Sequence, residues 1–223
     1  MKLQEIIRNE QNQISVPVIT LKRGGTSIVL LGMIHVASKD FFETVVSLLN
    51  EYEKDGFQIL YEKVEAIPSA EKQTLDLLFK GLQKYKLYSQ LDFLYPRVPW
   101  KRADMDQEMS INSCDDSLHV ESDNDDMSSP EKYIWNILLP QLENLFLDIP
   151  DFDVIINRRN EFAVRAILDY AEKTDVATFW GCSHLPGILD LLKQAGFQID
   201  TIEWLKVLDI GNLKLQVQQV ASV

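Results

Sequence analysis

The sequence predicts a single α/β domain, a mixed and mostly parallel sheet flanked by helices. Three apolar runs that do not alternate, Ser27–Met33, Phe57–Tyr61 and Val176–Trp180, read as strands buried on both faces. Amphipathic helical stretches separate them, so strand and helix alternate along the chain. A length of 223 residues, 46% of them hydrophobic and 25% charged, suits one globular domain with a sizeable core.

In chain order, Val16–Lys22 alternates and is β-branched, as a strand should be. Arg23-Gly24-Gly25-Thr26 suits a two-residue hairpin turn into Ser27–Met33. Ser38 can cap a helix over Lys39–Lys54, with Phe42, Val45, Val46 and Leu49 on its apolar stripe and Asp55-Gly56 at its end. After Phe57–Tyr61, a helix is expected over Ser69–Tyr85 and a short strand over Trp100–Ala103. Helical patterning returns over Tyr133–Leu147 and Asp151–Lys173. Val176–Trp180 is followed by a helix over Leu185–Ala195, with Pro186 in the first turn, where proline is tolerated, and Gly196 after the end. Phe197–Val207 and Asn212–Val220 alternate enough to be a closing antiparallel pair of strands.

Charge excludes several partners. Acids outnumber bases 34 to 22, for a net charge of −12. That balance weighs against nucleic acid, which needs clustered Lys and Arg, and against an anionic membrane surface. Ten of the acids lie between Ala103 and Glu131, a stretch without Lys or Arg, so the rest of the chain holds 24 acids against 22 bases. The segment at about 107–130 therefore reads as an acidic, flexible insertion within one domain spanning 1–223. It lacks the glycine that a calcium loop needs at its sixth position. Because it begins beside Asp104, it is expected to act as a flap that disfavours anionic substrates. Polar residues interrupt the N-terminus before any signal-peptide run, and no stretch reaches the ~20 apolar residues that span a bilayer. Two cysteines, Cys114 and Cys182, cannot build a disulfide framework or a four-cysteine zinc site. The expectation is a soluble, cytoplasmic protein with no membrane segment, for which a homo-oligomer is possible.

Two of the three histidines end the same pattern. Gly32-Met33-Ile34-His35 and Gly181-Cys182-Ser183-His184 each follow an apolar strand and precede a helix. In parallel α/β sheets, ligands bind outside the carboxyl ends of the strands. A glycine there lets the chain turn sharply and lets a ligand approach the backbone. Glu62 closes a third apolar strand, where a carboxylate needs a cation, a metal or a hydrogen-bond donor. His35, His184 and Glu62 at strand ends make a divalent-metal site or a metal-free water-activating group. On the helix over Asp151–Lys173, Arg158 and Arg159 point to different faces, so at most one enters such a site. That arginine would offer fixed positive charge to a carboxylate or an oxyanion. Glu65 reads as surface and His119, in the acidic stretch, as exposed. Of the tryptophans only Trp180, next to Gly181, has a claim beyond packing.

These motifs resemble the TraB/Tiki superfamily, with its GumN-like members, and more distantly erythromycin esterases and ChaN-like haem-binding proteins. Gly32–His35 is similar to the first Gly-x-x-His motif of that superfamily, and Glu62 to its strand-end glutamate. Arg159-Asn160 with Ala163 is similar to its Arg-Asn-x-x-x-Ala helix signature. Gly181-Cys182-Ser183-His184-Leu185-Pro186-Gly187-Ile188 is similar to its second motif, and Asp104 to an acidic position at its middle strand. The acidic segment has no counterpart there, and Cys182 stands where a smaller residue is usual. The resemblance implies a cleft with both histidines and Glu62 facing it and, for Tiki-like members, metal-dependent peptide hydrolysis.

The leading expectation is thus a metal-dependent hydrolase acting on a peptide or small molecule. His35, His184 and Glu62 would hold manganese, cobalt or zinc, Arg159 would join them in catalysis, and Asn160 and Asp104 would contact substrate. The alternatives are a metal-free esterase, a Cys182 nucleophile paired with His184, and a non-catalytic module for a peptide or for haem or iron.

Overall fold

The computed structural model describes residues 6–62, 77–94, 97, 99–104, 129–139 and 152–221. Glu65, His119, Cys114 and most of the acidic segment lie outside them. Strands β1 (Arg8–Glu10), β2 (Gln13–Arg23) and β3 (Thr26–Met33) are antiparallel neighbours, β2 pairing with both others. Arg23 pairs with Thr26, so Gly24-Gly25 is the expected two-residue turn. Beyond β3 the sheet turns parallel. Its order continues through β8 (Val176–Gly181) and β5 (Gln58–Tyr61) to β7 (Lys101–Arg102). On its other side β2 pairs antiparallel with β9 (Gln198–Asp209). The sheet is mixed, as expected.

The strands read as continuous apolar runs are buried throughout: all six residues of β8 are buried, and so are the last six of β3. A strand buried on both faces has no solvated side on which polar residues would alternate. The single polar side chain within β8, Thr178, accepts a hydrogen bond from Trp180 Nε1 at 3.0 Å.

Helix α1 (Lys39–Lys54) starts at Ser38, whose hydroxyl accepts from the Phe41 N–H. Asp40 in the first turn and Lys54 in the last complement the helix dipole. Its buried stripe is Phe41, Phe42, Val45 and Leu49, and burying each such side chain stabilises the fold by roughly 1.5–3 kcal/mol. Helix α2 (Pro130–Tyr133) runs into a π turn, Ile134–Leu138. Helix α3 (Phe152–Ala171) packs on β3, β8 and α4 (Leu185–Gln194). The described residues surround one continuous core. None of their helices is long and apolar enough to cross a membrane.

Besides β1, which the sequence does not predict, two parts of the chain differ from expectation. Asn212–Val220 is not a strand but part of helix α5 (Ile210–Ala221). Ile210, Leu213 and Val217 are buried while Leu215 is exposed, a helical rather than a two-residue period. Asp209 starts the helix by accepting from the Asn212 N–H at 2.9 Å. The antiparallel partner of β9 is therefore β2. The second difference is a small separate ladder, β4 (Val36–Ser38) with β6 (Leu87–Ser89). Three-residue strands carry no readable periodicity, so the sequence does not predict this pair. In the expected helix over Ser69–Tyr85, residues 77–82 are helical and Gln83–Tyr85 tighten to a 3₁₀ turn.

Candidate active site

The parallel strands β3, β8, β5 and β7 end side by side. Met33 pairs with Gly181, and Tyr61 with both Phe179 and Arg102. Residues just beyond those ends therefore meet along one sheet edge: His35, Cys182–His184, Glu62 and Asp104. Of these, His35, Glu62 and Cys182–His184 line a cleft of about 320 Å³ together with Arg159 of α3, and Asp104 lies behind Arg159. Ile7, Met33, Val36, Tyr133 and Leu138 supply apolar wall.

An ion-pair network fills the base. Glu62 is buried; its Oε2 accepts from the Gly181 N–H at 2.6 Å and its Oε1 from Arg159 Nη2 at 2.7 Å. Arg159 also grips buried Asp104 with two hydrogen bonds, Nη2 to Oδ2 at 2.6 Å and Nε to Oδ1 at 3.0 Å. Burial works against the charge on Arg159, but Asp104 and Glu62 outweigh it and hold the guanidinium pKa above its ordinary value. Its neighbours show the helical phase: Arg158 is exposed and Asn160 buried.

The two imidazoles are oriented alike. His184 is buried, with Nδ1 2.8 Å from Asn160 Oδ1. His35 is more exposed, with Nδ1 2.8 Å from Oε1 of buried Gln90. The Gln90 N–H also donates to the His35 carbonyl at 2.8 Å, across the end of the β4–β6 ladder. A carboxamide oxygen facing each Nδ1 suits an N–H donor there and orients each ring, leaving Nε2 as the nitrogen the carboxamide does not engage. A Cβ on Gly181 would lie 3.3 Å from Glu62 Oε2, 3.7 Å from His35 Nε2 and 3.8 Å from the His184 ring. Glycine is needed here because any side chain would stand among these three groups. Asn160 and Asp104, both expected to contact substrate, have their oxygens on His184 and on Arg159 respectively.

Burial pushes the His184 pKa down to about 4, with Glu62 pulling against it and Arg159 and His35 adding to it. The ring is neutral at pH 7, and its Nε2 faces Glu62 Oε1 at 3.4 Å. Between pH 6.5 and about 4 the unfolded chain binds a proton at this residue that the folded chain refuses. Stability therefore rises with pH through that window and is lost as pH falls through it. The loss from this group is on the order of 3 kcal/mol. Denaturant melts of chelator-treated protein at pH 7 and pH 4.5 should show it, and His184→Gln should flatten the difference. An identical pH slope in the variant would mean that His184 is not held neutral.

Cys182 is buried, and burial together with the charge of Glu62 pushes its thiol well above the ordinary cysteine range. The thiolate that a Cys182 nucleophile requires is thus strongly disfavoured. The side chain packs instead: its Sγ lies 3.0 Å from where a Cβ on Gly32 would stand. Trp180 touches the site edge-on, its ring 5.2 Å from the His184 ring.

No family model, curated protein or solved structure matches the chain. The functional reading accordingly rests on this geometry and on the motifs. Among the described residues no group of three or more His, Cys, Asp and Glu side chains is arranged to hold a metal ion. The donor chemistry of His35, His184 and Glu62 nevertheless suits one: two imidazoles oriented through Nδ1, a carboxylate, and a contact between the neutral His184 and Glu62 that a cation would reconcile. Two residues at the site carried no signal strong enough to single them out. Gln90 sits behind His35 through a ladder invisible to periodicity, its nearest sequence clue being the Ser89–Asp92 capping box. Tyr133 lies where the chain leaves the acidic segment.

Proposed function

We propose that the chain is a divalent-metal-dependent hydrolase acting on carbonyl substrates, peptides first among them. One observation carries this reading: two imidazoles, each fixed at Nδ1 by a buried carboxamide, stand with Glu62 around Gly181, with Arg159 beside them. His35 Nε2, His184 Nε2 and Glu62 would hold manganese, cobalt or zinc. Such an ion, when bound, polarises a carbonyl and lowers the pKa of its water. Asn160 and Gln90 keep the imidazoles from rotating. Arg159 holds a fixed positive charge at the cleft for a substrate carboxylate or a developing oxyanion, and Asp104 keeps its guanidinium plane in place. The apolar wall receives a hydrophobic side chain and limits water.

A metal-free esterase is the second reading, favoured by the engagement of both Glu62 oxygens with Gly181 and Arg159. There His35, the more exposed imidazole, takes the proton from water. Elemental analysis of protein purified without chelators, with a peptide and ester panel run with and without EDTA, separates the two. We expect bound metal and turnover that EDTA abolishes and manganese, cobalt or zinc restores. Full metal occupancy in a His35→Ala/His184→Ala double variant would end the ligand assignment. Turnover indifferent to EDTA selects the esterase. Peptide or haem binding without turnover on any substrate selects a binding module.

A further inference from the structure

Tyr133 lines the cleft alongside His35, Glu62, Arg159 and His184; its ring belongs to the apolar wall, but the residue also carries a hydroxyl. It ends α2, where the chain enters the π turn Ile134–Leu138. A turn closed between residues five apart brings positions 133 and 138 toward the same face, and both line the cleft. Short π segments recur at functional sites. The segment is fixed from outside the cleft. Ser129 Oγ accepts from the Lys132 N–H at 3.2 Å. Glu131 pairs with Lys84 and accepts from the Tyr85 hydroxyl. Pro130 presses on Gly81 so closely that a Cβ there would lie 2.2 Å from Pro130 Cγ.

The Tyr133 ring is half-buried against the core. Its hydroxyl has no hydrogen-bond partner, yet among the described residues no buried side-chain polar atom lacks one. The hydroxyl is therefore not fully buried, and the residue that carries it lines the cleft. Burial raises the phenol pKa to about 12, so it remains a neutral donor at any working pH.

We propose that Tyr133 is a catalytic residue of this site, its hydroxyl donating a hydrogen bond to the substrate carbonyl oxygen as that oxygen gains charge. The proposal takes its substrate class from the hydrolase reading. A preset donor aimed at a developing oxyanion acts mainly in the transition state. Tyr133→Phe removes one oxygen and keeps the ring, so a purely packing role predicts no functional change.

The test compares wild type and Tyr133→Phe, as full chains, by calorimetry with a peptide phosphonate, a tetrahedral anion, and with the matching uncleaved peptide amide. Phosphonate affinity should fall about tenfold or more in the variant while amide affinity holds. In any substrate the wild type cleaves, kcat should fall about 10²–10³-fold with KM little changed. Equal phosphonate affinity in the two proteins, or no phosphonate binding to either, overturns the proposal. A Tyr133-dependent phosphonate affinity without turnover of any substrate ends the hydrolase reading but leaves the contact standing. Should the variant melt early, fluorotyrosine at position 133 reads the same contact. Its fluorine resonance should shift on phosphonate addition, and an unmoved resonance overturns the proposal equally.

Discussion

Arg159→Leu should melt roughly 10 °C below the wild type. The guanidinium is shared by two buried carboxylates, Glu62 and Asp104, across three contacts. Removing one partner of a buried ion pair costs about 3–5 kcal/mol, chiefly because the other charge is left in a medium that cannot solvate it. In a domain of this size each kcal/mol moves the melting temperature by about 2–4 °C. Lysine should rescue only part of the loss, since a point charge cannot reproduce the paired grip on Asp104. Adding Asp104→Asn to Arg159→Leu should recover stability beyond the sum of the single effects, the coupling that a double-mutant cycle isolates. A Leu variant that melts with the wild type would mean that the network contributes nothing to the fold.

Gly187→Ala should have the largest kinetic effect of any change outside the cleft. A Cβ at Gly187 would lie 2.2 Å from Asn160 Nδ2 and 3.2 Å from its Cγ. The helix backbone cannot yield, so the carboxamide must. Asn160 is buried and holds His184 by Nδ1. Pushing it aside frees the imidazole to rotate. Loss of an outer partner of this kind lowers metal affinity or activity about 10–100-fold, and the overlap itself costs roughly 1–3 kcal/mol of stability. Adding Asn160→Ala relieves the clash but cannot restore the hydrogen bond. The double variant should regain melting temperature and keep the loss of activity. Recovery of activity along with stability would show that Asn160 fills space and does not orient His184. The glycine in His-Leu-Pro-Gly thus has a steric reason rather than a conformational one.

Much of this arrangement was legible because strand ends are marked by chemistry. Glu62 directly closes an apolar run, where a carboxylate needs a partner, and His35 and His184 each end a Gly-x-x-His pattern that follows one. Arg159 over Arg158 was not decidable, since helical phase separates the two but does not say which phase faces the sheet. Asn160 and Asp104 were attached to the right neighbourhood; their contacts are with His184 and Arg159, pairings set by side-chain packing that one sequence does not reveal. The C-terminal segment was misread because Leu213, Leu215 and Val217 satisfy a two-residue period as well as Ile210, Leu213 and Val217 satisfy a helical one. The Asp209 cap decides between them. Gln90 depends on a ladder of three-residue strands, too short to leave a pattern. The proposed acidic flap, at about 107–130, lies almost wholly outside the described residues. Its test remains deletion of Ser113–Ser129, with activity and substrate charge preference compared before and after.

Glu62 ties the backbone of β8 to α3, and Arg159 carries that tie on to Asp104 beyond β7. The open edge of the sheet is therefore stitched by the same groups that form the floor of the cleft. A cavity floored by its own fastenings cannot slacken without fraying the strands beneath it. Whatever occupies it acts as a clasp on the whole molecule, and its affinity adds to the free energy of folding by mass action. Ligand discovery for this chain can therefore be run as a search for compounds and ions that make it harder to unfold.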